Sequence, residues 1–178
     1  LEVDVAETRA AGDGSRIARE AYARGVHRFI AIGGDGTGFE ILNGVFPAAE
    51  TGPRFALGFL PLGTGNSFLR DFTDQGAEHS IRALCEGKSR PCDVIRLTHR
   101  DGTLYYINIL SIGFVAEVAA LTNRRFKPFG PLAYIMGVVS KVFSLAPRPF
   151  PMKLDGIRED REPVTFISIN NSRFTGGT

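Results

Sequence analysis

The stretch IGGDGTGFEILNG, Ile32 to Gly44, constrains this chain more than any other, because it follows the apolar run Phe29 to Ile32 and sets Gly33, Gly34 and Gly36 around a single carboxylate, Asp35. A glycine-rich turn between a strand and a helix lets backbone N–H groups come close to a ligand. The first helical turn adds unpaired donors and the positive end of the dipole, so the natural guest is a phosphate. A carboxylate beside phosphates repels them unless a metal ion or a proton transfer gives it a task, which makes Asp35 the most informative residue here. A second loop of the same design, PLGTGN from Pro61 to Asn66, follows the next strand pattern. In a parallel sheet both loops emerge at the carboxyl ends of their strands, where ligands of open α/β sheets bind. Two glycine-threonine loops at one rim point to a polyphosphate.

The rest of the first half supports such a sheet. Leu1, Val3 and Val5 alternate with acids as in a half-buried strand. DGSRIAREAYARG carries Ile17, Ala18, Ala21 and Tyr22 at helical spacing and stops on Gly25. HRFIAI is a short buried strand, TGFEILNGVF a helix whose Thr37 and Glu40 have capping-box spacing, and FALGFL another strand. The helical pieces SFLRDF and AEHSIRALCEG complete a βαβαβα pattern, with helices on the faces of a parallel sheet. Near Pro91 the pattern changes. CDVIRLTHRDGTLYYINILSIG reads as two strands about an Asp101-Gly102 turn, and MKLDGIREDREPVTFISIN as another pair, with FVAEVAALTNRRF and PLAYIMGVVSKVFSLA helical between them. The expected organisation is an α/β unit over residues 1–91 and the start of a mainly antiparallel β unit over 92–178.

Composition and motifs remove several classes. With 178 residues, 43% apolar, 22% charged and a net charge of +2 without a basic block, this is an ordinary globular chain that lacks the footprint of a nucleic-acid binder. Cys85 and Cys92 have no metal spacing and read as reduced cytosolic thiols. His27, His79 and His99 are isolated. The longest nearly apolar segment is broken by Lys141 and bounded by prolines, too short to span a bilayer. A P-loop is excluded because no G-K-[ST] occurs, and the dinucleotide fingerprint fails because Phe39 stands where its third glycine belongs.

GGDGTGFEILNGV followed by LGFLPLGTGNSFLRDF resembles the catalytic domain shared by diacylglycerol, sphingosine and ceramide kinases and their bacterial lipid-kinase relatives. GGDG alone also occurs in NAD kinases and phosphofructokinases, but PLGTGN is similar only to the lipid branch. The resemblance also takes in ETRAAGDGSRIA, PCDVIRL and SIGFVAEVAALTNRRFKPFGPLAY. It implies a three-layer parallel-sheet nucleotide-binding domain, like that of NAD and diacylglycerol kinases, followed by part of a β-sandwich domain. It further implies an ATP-dependent kinase acting on a lipid hydroxyl, with Mg²⁺ accompanying the nucleotide, at a cytoplasmic site with peripheral membrane contact. Carried over by position, Gly33, Gly34, Asp35, Gly36, Thr37, Gly38, Phe39, Thr64 and Thr8 would hold the ATP phosphates. Glu40 and Asn43 would brace the first loop, and Gly63, Gly65 and Asn66 the second. Asp35 would orient the metal-nucleotide or accept the lipid hydroxyl's proton.

Glu117 matches a position that meets the lipid headgroup in the sphingosine branch, against the plainer reading of a surface carboxylate. Arg124 and Arg125, with Lys127, could reach the γ-phosphate, against that of a solvated helix end. The apolar stretch Pro131 to Pro147 reads as core or as a surface that touches lipid. Ser67 departs from the family pattern, which often has aspartate after GTGN. The family's asparagine-proline-glycine strand is not found, nor is the last third of its β domain with the bacterial branch's proposed base. With no initiator Met, these features lead us to expect a piece of a longer protein. The rival readings are an NAD kinase-like enzyme with a soluble acceptor and a non-catalytic nucleotide-binding module.

Overall fold

The structure, a computed structural model, describes residues 3–63, 66–73, 75–114, 116 and 146–174. By packing, the chain divides into one unit of Leu1–Ile109 with Asn170–Thr178 and a second of Leu110–Ile169. The boundary expected near residue 91 follows the change of strand pattern instead, and the hairpin just after it packs with the first unit.

The first unit runs α1 (Asp13–Ala23), β1 (Arg28–Gly33), α2 (Asp35–Val45), a short α3 (Ala48–Thr51), β2 (Ala56–Pro61), a 3-10 turn (Leu69–Asp71), α4 (Gly76–Cys85) and the hairpin β3 (Ile95–His99) and β4 (Gly102–Tyr106). α1 stops where its glycine requires: Gly25 takes φ +90° and its N–H donates to the Tyr22 carbonyl. β1 and β2 pair in parallel from Arg28 opposite Ala56 to Gly33 opposite Pro61, so the two glycine loops leave from adjacent strand ends. Among the described residues that parallel sheet has two strands.

Three expectations change. Residues 3–9 form no strand, and Val3 and Val5 are exposed. Alternation supplies an apolar face, but a strand also needs a ladder partner, and no described strand pairs with this segment. α2 begins at Asp35, two residues before the start implied by a Thr37–Glu40 capping box. The Thr37 N–H already bonds to the Gly34 carbonyl at 3.0 Å, so Thr37 lies inside the first turn and Gly34 takes the cap position without a side-chain cap. The piece expected as a helix over SFLRDF is only the 3-10 turn.

α2 is the packing centre of the unit. Ile41 and Val45 join Ala18, Tyr22 and Ala31 in one buried cluster, while Leu42 joins Phe68, Tyr105 and Ile107 in another. Leu42 and Val45 are the largest fully buried side chains. Gly44 permits the approach of α1, because a Cβ there would run into the Ser15 carbonyl. Asn43 ties the hairpin to α2: its amide donates to the Tyr105 carbonyl at 2.8 Å and its oxygen accepts from the Tyr105 N–H at 2.9 Å. Phe46 stacks on the Tyr105 ring with centroids 4.6 Å apart. After residue 170 the chain is held by Asp71, which accepts from the Arg173 N–H at 3.1 Å and from its Nε at 3.0 Å.

The second unit is entered through β5 (Ile109–Gly113) and left through β10 (Phe166–Asn170), which pair with each other. Between them lie β6 (Arg148–Pro149) with β9 (Pro163–Val164), and β7 (Met152–Leu154) with β8 (Arg158–Asp160), both antiparallel. Asp155 and Gly156, at φ +50° and +71°, make the β7–β8 turn, as turn chemistry requires of an Asp-Gly pair. The helical stretches read between β5 and β6 lie almost entirely outside the described residues. No helix among the described residues is long and apolar enough to cross a membrane.

Candidate functional site

The glycines at the two strand ends do different work. Gly34 and Gly63 touch: a Cβ on Gly34 would lie 3.2 Å from the Gly63 Cα, and a Cβ on Gly63 would collide with the Gly34 Cα. A Cβ on Gly33 would strike the Thr37 hydroxyl, and one on Gly38 would meet the Phe59 ring. Only Gly36 of this loop has nothing within 4 Å of where its Cβ would stand. The expectation that Gly33, Gly34 and Gly36 all make room for a ligand therefore narrows to Gly36. The others let two loops and a strand pack closely.

Asp35 joins the loops. Its Oδ2 accepts from the Ser67 N–H at 2.9 Å and the Ser67 hydroxyl at 2.7 Å, and its Oδ1 from the Phe68 N–H at 3.3 Å. The Asn108 side chain also favours its charged form. Partial burial pushes the Asp35 pKa up, but Ser67, Asn108 and Phe68 outweigh it and hold the carboxyl below the usual aspartate value. Asn66, at φ +43°, folds its amide onto the Gly63 carbonyl and closes the second loop on itself.

A cleft of about 390 Å³ opens beside Gly36, lined by Thr8, Arg9, Ala10, Ala11, Thr37 and Glu40 as well. The volume lies in the range of small-molecule pockets. Glu40 would make this a poor place for an anion were its charge not already engaged. Its Oε1 accepts from the Gly12 N–H at 3.0 Å and its Oε2 from the Gly14 N–H at 2.8 Å, so it serves the start of α1, and its carbonyl accepts from the Ser15 hydroxyl at 2.8 Å. Asp13 steadies the same turn by accepting from the N–H groups of Arg9 and Ala10 at 2.9 and 3.2 Å. The lining also carries Arg9, a cation, and Gly36, whose first-turn N–H helix geometry leaves without an intrahelical acceptor.

The structure thus brings Thr8, Gly36, Thr37 and Glu40 to one cleft, with Asp35, Gly33, Gly34, Gly63 and Asn66 in the loop junction beside it. Phe39 is exposed, Gly38 is packed on β2, and Asn43 donates both to the Phe39 carbonyl and to β4. Thr64, Gly65, Glu117, Arg124 and Arg125 lie outside the described residues. Sequence reasoning missed Arg9 and Asn108. Arg9 adjoins Thr8 and was within reach of a charge argument, whereas Asn108 comes from a distant hairpin and leaves no local signal.

Fold and site together define an α/β protein with paired glycine loops at parallel strand ends, an arrangement suited to a phosphate-bearing ligand. Residues 1–97 match the family of the diacylglycerol kinase catalytic domain. The chain belongs to that family. Over 170 residues it is 36% identical to a "Probable lipid kinase YegS-like" protein of Chromohalobacter salexigens, covering 93% of this chain and 52% of that protein. It is 30% identical over 175 residues to the diacylglycerol kinase of Bacillus subtilis, covering 96% and 55%. The crystal structure of a diacylglycerol kinase from Bacillus anthracis str. Sterne shares the fold, with a TM-score of 0.66 at 23% identity over 96% of this chain and 51% of that one. The chain spans about half the length of these relatives.

Proposed function

We propose that the chain carries the nucleotide site of a lipid kinase, which transfers the γ-phosphate of Mg-ATP to a lipid hydroxyl of the diacylglycerol or sphingosine kind. The observation that supports this most is the cleft at the start of α2, where Gly36 is open, Arg9 supplies a cation and the one carboxylate on the lining is hydrogen-bonded to the N–H groups at the start of α1. Gly36 would meet a phosphate oxygen through its N–H group, with Thr37 beside it on the lining, and Thr8 and Arg9 would close the other side. Asp35 would keep the two loops in register beside them. Phosphoryl transfer asks a protein mainly for such positioning and charge neutralisation. Among the described residues no three acidic, histidine or cysteine side chains gather as a metal site, so in this reading Mg²⁺ arrives as part of the nucleotide.

On the same reading, the two-stranded parallel sheet belongs to a three-layer nucleotide-binding domain, and the strands after residue 92 to a β-sandwich that receives the lipid at a membrane surface. Thr64 and Gly65 would continue the second loop toward the phosphates. Arg124, Arg125 and Glu117 would serve the γ-phosphate and the headgroup.

The test is transfer of labelled γ-phosphate from Mg-ATP to diacylglycerol, sphingosine, ceramide and phosphatidylglycerol in detergent micelles, with soluble NAD alongside. It is run on the 178-residue chain and on a fusion that adds the flanking segments of the Bacillus subtilis relative. Labelled lipid supports the reading. Labelled NAD would move the assignment to a soluble acceptor, and no product from either version would leave a nucleotide-binding module.

A further inference from the structure

Ser67 is polar, only 6% exposed, and placed so that both of its donors fall on one oxygen of Asp35. An ionised carboxylate has about four acceptor positions. Here the Ser67 N–H and the Ser67 hydroxyl fall on Oδ2 and the Phe68 N–H falls on Oδ1. Two of these donors are consecutive main-chain groups that any residue would supply. The hydroxyl is the one contribution at position 67 that depends on the side chain, and its 2.7 Å bond is the shortest of the measured contacts. Asp35 is also the first residue of α2, so the helix dipole favours its charge as well. A carboxylate at position 67 would reverse the arrangement, because two acids about 3 Å apart cannot both stay ionised and one must take a proton.

From this geometry we infer that Ser67 is a positioning residue: its hydroxyl holds Asp35 as an anion that locks the two glycine loops together and so sets the place of Gly36 in the cleft. The inference rests on the nucleotide reading for its purpose, but not for its measurement. In it, Asp35 acts through the loops it joins. Position 67 is the point at which this chain controls the charge at the junction.

The test compares Ser67→Thr, which keeps a hydroxyl, with the isosteric Ser67→Val, which does not, and with Ser67→Ala as a smaller variant. The Asp35 carboxyl carbon is followed by NMR against pH in the 178-residue chain, with Kd for Mg-ATP measured beside it. Loss of one charge-assisted bond should raise the Asp35 midpoint by about one unit in the Val and Ala variants, a tenfold change in proton affinity. The Thr variant should stay at the native midpoint. Kd should rise by about tenfold in Val and Ala and recover in Thr. Equal midpoints in Thr and Val would overturn the inference, since packing alone would then explain Ser67. Failure of any version to phosphorylate a lipid, with the midpoints shifted as stated, would count against the kinase reading and leave the role of Ser67 standing.

Discussion

Two carboxylates on α2, little more than one turn apart, fasten the helix to different parts of the unit by different chemistry. Asp35 reaches forward to the second glycine loop and takes a hydroxyl and two main-chain N–H groups. Glu40 reaches back to the start of α1 and takes only main-chain N–H groups, those of Gly12 and Gly14. The second tie depends on backbone shape, which most substitutions leave alone. The first depends in part on which side chain stands at position 67, so it is the one that sequence change can retune. Between them they fix both walls of the cleft. Asp35 sets where Gly36 lies, and Glu40 sets where the turn Thr8 to Ala11 lies.

The largest effect should come from cutting the Asp35 tie. Asp35→Ala leaves several buried donors without an acceptor and frees the loops from each other, so phosphotransfer should fall by about 100-fold or more. Denaturant unfolding should register a loss of about 1–3 kcal/mol. A variant with native kcat/KM would show that the loop junction does not matter to the reaction. Glu40→Ala should be milder, because the exposed α1 start can turn to water. We expect a loss of about 1–2 kcal/mol, as for a helix cap, with a rise of about tenfold in Kd for Mg-ATP measured by calorimetry. If Glu40→Ala proved the more damaging for turnover, the ranking of the two ties would be reversed.

Acidity offers a finer contrast. Asp35 has its folded pKa depressed, and so does Asp71, where burial opposes but the Ser172 and Arg173 hydrogen bonds prevail. In acid the unfolded chain therefore binds protons first. The stability these groups contribute is fully present above about pH 5 and drains away as pH falls past the ordinary value of about 3.9 and through the lower folded values. Asp35→Asn should flatten that decline in a pH series of melting temperatures. A decline of the same steepness would mean that Asp35 is not held as an anion. The smallest effect on the fold belongs to Gly36→Ala. Its Cβ meets open space inside a helix, so stability should hold or rise by about 0.5–1 kcal/mol while nucleotide binding weakens. Improved binding would place the ligand elsewhere.

The parts of this design that a sequence can carry are local ones. The strand-glycine-helix junction, the stop of α1 at Gly25 and the hairpin turns at Asp101-Gly102 and Asp155-Gly156 each follow from a few adjacent residues. Long-range choices were not visible. Glu40 stands three residues after Thr37 and so imitates a capping box, but its carboxylate goes to a helix that starts 27 residues earlier in the chain. Asn43 reads as a loop brace, and besides its bond to the Phe39 carbonyl it pairs with the main chain of the distant Tyr105. The alternation of Leu1, Val3 and Val5 promises a strand, yet no local rule supplies a partner to pair with it. Gly34 and Gly63 illustrate the same limit. Each reads as ligand space, and only their mutual contact shows that they are spent on each other.

Phosphate binding at the start of α2 is tested most directly by the change in amide NMR shifts of the 178-residue chain on addition of Mg-ATP, with adenosine as the phosphate-free control. Saturable shifts are expected at Gly36, Thr37, Thr8 and Arg9 with Mg-ATP, and none of comparable size at those amides with adenosine. Shifts that spare the start of α2, or that adenosine reproduces, would contradict it.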